Sequence, residues 1–387
     1  MKGYIKSRSK TGKSHTIILD YGKDPSSGKR KQSWITVKGS KEDAEQRMSA
    51  ILLQIEAGTF IKPSKTTLAD YLSHWLIDYV KPTLSPRGFE RYESIARVHL
   101  VPSLGQIPLT QLKPEYLQSH YSDTIKAGLS PHSVRYHHVV LHRALQTALK
   151  LGLVNYNAAD GVVVPGAGHA EIQIWTEDEL NKFLEAAKDT PYYTLFYIAL
   201  FTGMRRSELL ALRWQDIDMV NGRISVNRCL HHLGNGEYIF TQPGKNKQCR
   251  SIDLPPSALL VLQSYRRAAE IVSGTFSSQG LDDNELVFNN LGKPLRPNTI
   301  TRAWSILAVK AGVRPIKFND ARHTHAVLML KQGVHPRIVQ ERLGHSSLSI
   351  TLNTYSGITD GLQASAARQF DEVLQINHEE SPAAEIR

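Results

Sequence analysis

The sequence predicts a multidomain, mainly α-helical chain. A small three-stranded β-sheet with one helix comes first, a helical domain second, and an α+β, mostly helical domain third. The 387 residues exceed one ordinary domain, and 41% of them are hydrophobic, which is enough for real cores. Strand-type patterns dominate near the N-terminus, whereas apolar residues recur at helical spacing from about Thr67 onward.

The first domain, residues 1–60, is predicted to hold three strands and then a helix. Segments 3–8, 15–22 and 30–38 are rich in β-branched and aromatic residues and are joined by turn-like, basic connections. The helix is predicted to start after Ser40, which can cap it, with Asp43 near its positive end. Polar strands with basic side chains are typical of a sheet that enters a DNA groove.

The second domain, residues 66–160, is predicted to consist of four short helices. Apolar residues recur three or four apart from Leu68 to Tyr79, and further helices follow S-P-R-G, L-K-P-E-Y and L-S-P-H-S. The last helix carries four histidines, at positions His132, His137, His138 and His142. Two of them stand four residues apart, as a zinc pair would, but no carboxylate or cysteine is close in sequence. The favoured interpretation is a polar helix surface that faces DNA.

The third domain, residues 171–376, is predicted to begin with a helix capped by Thr176 and Glu179 and to be mostly helical up to Tyr355. Three strand-like segments interrupt it, namely R-I-S-V-N-R-C, E-Y-I-F-T-Q-P and C-R-S-I-D-L. Residues 377–387 form a polar tail. The sequence shows neither a dinucleotide-binding nor a P-loop motif.

Charge is distributed unevenly along the chain. The formal net charge is +11, and residues 1–65 alone hold 14 Lys and Arg against 6 Asp and Glu. This indicates a polyanionic partner such as nucleic acid, with a solvated basic surface or a targeting signal as alternatives. No run of 18 apolar residues and no signal-peptide pattern is present, so no membrane partner is expected. Two cysteines, Cys229 and Cys249, without CxxC spacing indicate a reducing compartment, the cytoplasm, and no structural zinc.

Five short segments of the third domain carry residues suited to phosphate chemistry. Arg205 lies in T-G-M-R-R-S-E-L-L, where an ion pair with Glu208 explains it as well as phosphate binding does. Two arginines can together hold two non-bridging oxygens of one phosphodiester, and a tyrosine hydroxyl can attack the phosphorus. The other candidates are Lys245 in a turn between strands, Arg322 in R-H-T-H-A, His345 in L-G-H-S and Tyr355 in N-T-Y-S.

In this order the segments resemble the boxes of the tyrosine recombinase family, of the phage and transposon integrase type. The resemblance implies that Tyr355 is the nucleophile, that Arg205, Arg322 and His345 stabilise the transition state, and that Lys245 is the general acid, with Lys247 as the alternative. Asn319 stands where the family usually has histidine. It can donate a hydrogen bond to the phosphate but cannot take a proton at neutral pH.

The resemblance also implies the domain roles and partners. Residues 1–60 look like an arm-type DNA-binding domain, 66–160 like a core-binding domain and 171–376 like the catalytic domain. The implied function is integration and excision of a mobile element through a 3′-phosphotyrosine intermediate, without metal or cofactor. The implied partners are double-stranded DNA with core and arm sites, three further copies in a homotetramer, and accessory DNA-bending and excision factors. The segment around Leu362 and Phe370 is expected to dock on a neighbouring copy, or else on its own domain.

Two alternatives remain open at this stage. Asn319 is the reason to consider a DNA-binding protein that has lost catalysis. A recombinase that resolves chromosome dimers is disfavoured because such proteins usually lack a domain like residues 1–58.

Overall fold

The computed structural model describes residues 2–7, 14–23, 30–56, 65–166, 173–243, 249–273, 282–355 and positions 367, 370 and 371. The backbone divides into two compact units, Met1–His169 and Ala170–Arg387. Among the described helices, none combines the length and apolar character that crossing a bilayer requires.

The chain begins with the predicted sheet and helix. The strands are β1 (Lys2–Ser7), β2 (Ser14–Lys23) and β3 (Arg30–Lys38), antiparallel in the order β1-β2-β3, and helix α1 spans Lys41–Glu56. The predicted cap is confirmed, because the Ser40 N–H donates to Asp43 Oδ2 at 2.8 Å and the Asp43 N–H donates to Ser40 Oγ at 3.1 Å.

The two faces of this sheet differ in what covers them. Ile17 and Leu19 of β2 pack with Ile51 of α1 in a small buried core. On the other face Tyr4 and Trp34 flank Ile18 across the strands, and Trp34 is 65% exposed. Alternation along the strands thus places two large, exposed aromatic side chains on this face.

A helical region follows in the same unit. Its α-helices are α2 (Leu68–Trp75), α3 (Pro86–Ile95), α4 (Val101–Leu104), α5 (Pro114–Lys126) and α6 (Pro131–Lys150). Leu76–Val80 continues α2 and Ala96–Leu100 joins α3 to α4, both as π-helical turns, and Leu109–Gln111 and Ala158–Gly161 are short 3₁₀ turns. The Tyr71 hydroxyl donates to the Ala144 carbonyl at 2.6 Å, which ties α2 to α6 inside the core.

Three histidines of this region, His99, His120 and His137, form an internal network. His137 is buried, and its ring stacks between those of His99 and His120 at centroid distances of 4.5 and 5.4 Å. The predicted DNA-facing role is therefore wrong for His137. Val134, His137 and Leu141 lie three and four residues apart, so they share the apolar face of α6.

The suspected zinc pair has other partners. His138 Nδ1 is 3.2 Å from the Tyr121 hydroxyl, and His142 Nε2 is 2.9 Å from Asp160 Oδ1. Within the described ranges, no group of three or more His, Cys, Asp or Glu residues is arranged to hold a metal ion.

The second unit is mostly helical with short sheets. Its helices are α7 (Glu177–Ala187), α8 (Tyr193–Thr202), α9 (Arg206–Leu209), α10 (Pro256–Ser273), α11 (Pro297–Lys310), α12 (Asp320–Lys331), α13 (Pro336–Leu343) and α14 (Leu348–Tyr355), with a 3₁₀ turn at Trp214–Asp216. Its strands are β4 (Ile217–Asp218), β5 (Arg223–Val226), β6 (Cys229–His232), β7 (Tyr238–Thr241), β8 (Arg250–Asp253), β9 (Asn289–Asn290) and β10 (Lys293–Pro294). The predicted capping box of Thr176 and Glu179 at α7 is confirmed.

The strands around Lys245 pair differently from a simple hairpin. β7 pairs with β6, whereas β8 pairs with β5 in a separate sheet of order β4-β5-β8. Among the described residues, the strands on either side of the segment that contains Lys245 therefore belong to two different sheets. Alternating apolar residues predict the strands but not their partners, which explains the difference.

An aromatic cluster fixes the segment that leads into α12. The Trp175 and Trp304 rings stack at 4.8 Å, and their indole N–H groups donate to the carbonyls of Arg314 and Ile316 at 2.7 and 2.9 Å. Both tryptophans are buried in the main core of this unit. The backbone just before Arg322 is thereby held against α7 and α11.

Candidate active site

Arg205 begins the short helix α9 where two apolar segments meet. Helix α8 ends at Gly203, whose φ of +63° lies in the left-handed region. A Cβ at Gly203 would lie 2.6 Å from Leu343 Cδ2 and 2.9 Å from His325 Cδ2, so only glycine fits there. The Arg205 side chain is 40% exposed and donates from Nη1 to Glu208 Oε1 at 2.9 Å.

Glu208 is the buried acceptor of this site, with 1% of its surface exposed. It accepts from the Arg205 backbone N–H and from both terminal nitrogens of Arg250, at 2.8, 3.0 and 2.7 Å. Burial acts to raise the pKa of Glu208, but the hydrogen bonds and charges of Arg250 and Arg205 outweigh it and lower the pKa to about 2. The carboxylate therefore stays ionised throughout the physiological range. Arg205 thus makes the simple ion pair considered from the sequence and still keeps an exposed guanidinium edge.

Arg322 lies in the first turn of α12 and is buried, with 7% exposed. Its Nη1 donates to the Gly203 carbonyl at 2.9 Å and its Nη2 to the Leu343 carbonyl at 2.6 Å. Backbone from the end of α8 and from the end of α13 therefore meets at this guanidinium. The two arginine segments, far apart in sequence, therefore lie close together in the fold.

Three arginine side chains donate hydrogen bonds to three successive backbone carbonyls at the C-terminal end of α13. Arg250 Nε donates to the carbonyl of Arg342 at 2.9 Å, Arg322 to that of Leu343 at 2.6 Å, and Arg205 Nη2 to that of Gly344 at 3.4 Å. The last carbonyls of a helix lack intrahelical partners and carry partial negative charge, which suits cationic donors. The three guanidinium groups and the Glu208 carboxylate together carry a net charge of +2.

His345 follows this helix end directly and is half-buried. Its Nδ1 is 2.8 Å from Oγ1 of Thr351, a fully buried residue of α14. Burial, together with the positive charges of Arg322 and Arg205, lowers the pKa of His345 to about 4. The imidazole is therefore neutral near pH 7. When Nδ1 accepts a hydrogen bond from the Thr351 hydroxyl, Nε2 carries the ring proton. Nε2 can then donate a hydrogen bond to a bound oxygen.

Of the remaining predicted residues, the structure describes some fully, some in part and some not at all. Tyr355 is the last residue of α14, one helical turn after Thr351, and its side chain lies outside what the structure describes. Lys245 and Lys247 also lie outside the described residues. Asn319 is exposed, immediately precedes α12, and accepts the Arg322 N–H on its carbonyl at 3.2 Å.

Sequence reasoning missed two residues of this site, Arg250 and Thr351. Arg250 opens a strand directly after the segment with Lys245, where a basic residue is usually exposed. Its burial depends on Glu208, 42 residues away. Thr351 could have been found, because it lies in an otherwise apolar stretch of α14 six residues after His345.

Comparison with known sequences identifies relatives along most of the chain. The sequence profile described as "Phage integrase family" matches residues 173–360, and that described as "Phage integrase, N-terminal SAM-like domain" matches residues 67–124. A protein named "Tyrosine recombinase XerC-like" from Caldanaerobacter subterraneus subsp. tengcongensis is 26% identical over 87% of this chain and 90% of its own. The "ICEBs1 integrase" of Bacillus subtilis is 24% identical over 93% of this chain and 97% of its own.

Solved structures share the fold. The Tn1549 transposon integrase in complex with transposon right end DNA has a TM-score of 0.64 at 21% identity, covering 75% of this chain and 94% of that one. A lambda integrase tetramer bound to a Holliday junction has a TM-score of 0.58 at 17% identity, covering 90% of this chain and 94% of that one. The two profile matches and the sequence relatives above show that this chain belongs to the phage integrase family of tyrosine recombinases.

Proposed function

We propose that this chain is a site-specific recombinase that cuts and rejoins DNA to integrate and excise a mobile element. One observation carries the proposal: Arg205, Arg322 and His345 lie together at the C-terminal end of α13. Helix α14 follows His345 and ends at Tyr355. Arginine forks held in advance by carbonyls and a carboxylate can stabilise charge on a phosphate without reorganising.

Each residue has a defined role in the proposed reaction. The Tyr355 hydroxyl attacks the scissile phosphorus, a 3′-phosphotyrosine bond forms, and the 5′-oxygen leaves with a proton from Lys245, or from Lys247 as the alternative. Arg205, Arg322 and a neutral His345 donate to the non-bridging oxygens. The phosphotyrosine retains the energy of the broken bond, so a 5′-hydroxyl of a second duplex reverses the step. Neither metal nor nucleotide is required.

The partners follow from exchanging strands between two duplexes. Double-stranded DNA with core and arm sites is the substrate, four copies of the chain assemble on it, and accessory DNA-bending and excision factors set the direction. A lambda integrase tetramer on a Holliday junction and the Tn1549 integrase with circular intermediate DNA support this assembly by analogy. Because the DNA of a bacterial host lies in its cytoplasm, we place the reaction there.

Each domain predicted from the sequence is assigned its own role. Residues 1–60 bind arm sites, 66–160 bind the core site and 171–376 carry the chemistry, with 377–387 as a tail. Separate hydrophobic cores around Ile51 and around Leu141 support the first boundary, although both belong to one compact unit. Phe370 is 65% exposed, and the other residues of the segment proposed to dock on a neighbouring copy are mostly outside the described ranges.

The nucleophile is tested with Tyr355→Phe, which removes only the attacking oxygen. We expect this variant to bind core-site DNA normally and to form no covalent complex on a nicked suicide duplex. Tyr238→Phe is the matched control, since Tyr238 is exposed on β7 and should leave adduct formation unchanged. Adducts that persist in the Tyr355→Phe variant would contradict the assignment. A wild-type chain that binds but never forms an adduct would favour the DNA-binding alternative suggested by Asn319.

The arm-binding role is tested by removing the first 63 residues. The shortened chain should still cleave core-site DNA but lose arm-site binding and most integration. Arm-site affinity of the full chain should fall steeply with salt, because each Lys or Arg contact to a phosphate releases a counterion. Trp34→Ala, on the open sheet face, should weaken arm sites and leave core-site binding intact. Affinity that is flat between low and moderate salt would overturn this part of the proposal.

A further inference from the structure

Arg250 uses every nitrogen of its side chain within the candidate active site, and the proposed reaction gives it no role. Its side chain is 10% exposed. Nη1 and Nη2 donate to the two oxygens of Glu208 at 3.0 and 2.7 Å, and Nε donates to the Arg342 carbonyl at 2.9 Å. Every nitrogen of the guanidinium thus has an acceptor within the protein.

These contacts connect the two halves of the proposed phosphate clamp. On one side, Glu208 also holds Arg205 through Nη1 and through the backbone N–H. On the other side, the Arg342 carbonyl lies three residues before His345, whose backbone N–H donates to the Gln340 carbonyl in the same helix. The Arg250 guanidinium therefore links Glu208, which holds Arg205, to the end of α13, which precedes His345.

The surrounding packing leaves this bridge little freedom. Gly344 has a φ of +67°, and a Cβ there would lie 3.0 Å from Arg250 Cδ and 3.1 Å from Nη1. The turn before His345 therefore rests directly on the Arg250 side chain. Lysine has one nitrogen and no planar fork, so it cannot reach both Glu208 oxygens and the carbonyl together.

We propose that Arg250 is a positioning residue that fixes the spacing between Arg205 and His345 at the scissile phosphate. The inference rests on the proposed recombinase function and deepens it. Arg250 does not touch DNA; it acts through Glu208 and through the end of α13. A shift of about 1 Å in a positioned group can lower a rate by about 100-fold, so the expected effect is on catalysis rather than on DNA affinity.

The test compares two scissile groups in otherwise identical suicide duplexes. One carries the natural phosphodiester, and the other a methylphosphonate, in which a methyl group replaces one charged oxygen. The neutral group develops less negative charge in the transition state and depends less on an aligned cationic clamp. Single-turnover adduct formation is measured for the wild type, Arg250→Met and Arg250→Lys, with DNA binding measured in parallel.

Arg206→Lys is the matched control. Arg206 adjoins Arg205, but its Nη1 donates to the Pro297 carbonyl and the Thr301 hydroxyl at α11. A variant that only lowers the folded fraction slows both substrates equally, so the ratio of the two rates is insensitive to partial unfolding. This ratio keeps the test valid if Arg250→Met is unstable, and Arg250→Lys supplies a milder change.

Arg250→Met should slow the phosphodiester reaction by about 10- to 100-fold at unchanged DNA affinity, with a much smaller defect on the methylphosphonate. Arg250→Lys should shift the ratio in the same direction, and Arg206→Lys should leave it unchanged. Equal defects of the Arg250 variants on both substrates, or no defect, would overturn the positioning role. If the wild type forms no adduct with either substrate, the recombinase function fails instead, so the two failures are distinguishable.

Discussion

The helical region of residues 66–166 and the candidate active site both bury polar side chains, but they do so in opposite electrical states. In the helical region the buried groups are imidazoles, and burial, reinforced by the neighbouring His99 and His120, lowers the pKa of His137 to about 4. In the active site the buried groups are guanidiniums around Glu208, whose pKa is lowered to about 2. The buried His137 imidazole is therefore neutral near pH 7, whereas the guanidiniums and Glu208 are charged.

The difference shows how each group meets the cost of desolvation. An imidazole can release its proton, so it needs only hydrogen-bond partners such as Ser103, which lies 2.8 Å from His120. A guanidinium cannot deprotonate, so Arg250 and Arg322 need acceptors for their buried donors. The helix end and Glu208 supply them. The active site therefore holds permanent charge in place, whereas the histidine network serves packing.

Glu208→Gln breaks the charged network most directly. Arg250 would remain buried without a counter-charge, so we expect a loss of about 3–5 kcal/mol in the free energy of unfolding and little adduct formation. Urea unfolding of the full chain, followed by tryptophan fluorescence, measures the first effect. Glu185→Gln is the control, because Glu185 makes an exposed pair with Lys188 at 3.6 Å and should cost under about 1 kcal/mol. Similar losses for both variants would contradict the contrast between buried and exposed charge.

Asn319 offers a smaller change at the edge of the charged site. If its amide donates to the phosphate, Asn319→Ala should slow cleavage by a free energy of about 1.5–3 kcal/mol, which is the value of a hydrogen bond to a charged group. Asn319→His should be tolerated or faster, since imidazole can donate and also accept a proton. Single-turnover cleavage of suicide duplexes by the three proteins measures this. A wild type that is inert while the His variant cleaves would show that catalysis has been lost.

The free energy of unfolding of the helical region should depend on pH through His137. The pKa of His137 is lowered from its usual 6.5 to about 4, so between these values the unfolded chain binds more protons than the folded chain. The stability that neutral His137 contributes is complete above pH 6.5 and is lost as the pH falls toward 4, by about 3 kcal/mol. Thermal unfolding of residues 65–166, which have their own core, should show this loss. His137→Phe keeps an aromatic ring without titration, so an unchanged pH dependence in this variant would exclude His137 as the cause.

Much of the site could be predicted because its residues interrupt apolar segments. Arg205, Arg322 and His345 each stand beside a strongly apolar stretch, and the caps at Ser40 and Thr176 are local sequence signals. Local signals do not specify which distant group a side chain meets. The burial of Arg250 depends on Glu208 and α13, and strand alternation does not reveal that β8 pairs with β5. The apolar neighbours of His137 on α6 predict its burial, whereas the polarity of its ring favours the surface, and position along the helix decides.

The three carbonyls at the end of α13 give the active site a form of mutational robustness. Backbone oxygens belong to every amino acid, so substituting the side chain of Arg342 or Leu343 leaves each acceptor chemically present. Lengthening or shortening the helix is a different matter. One inserted residue in α13 would rotate its end by about 100° and advance it by about 1.5 Å, which moves all three acceptors away from their arginines at once. The placement of all three arginines therefore depends on the number of residues between Pro336 and Gly344.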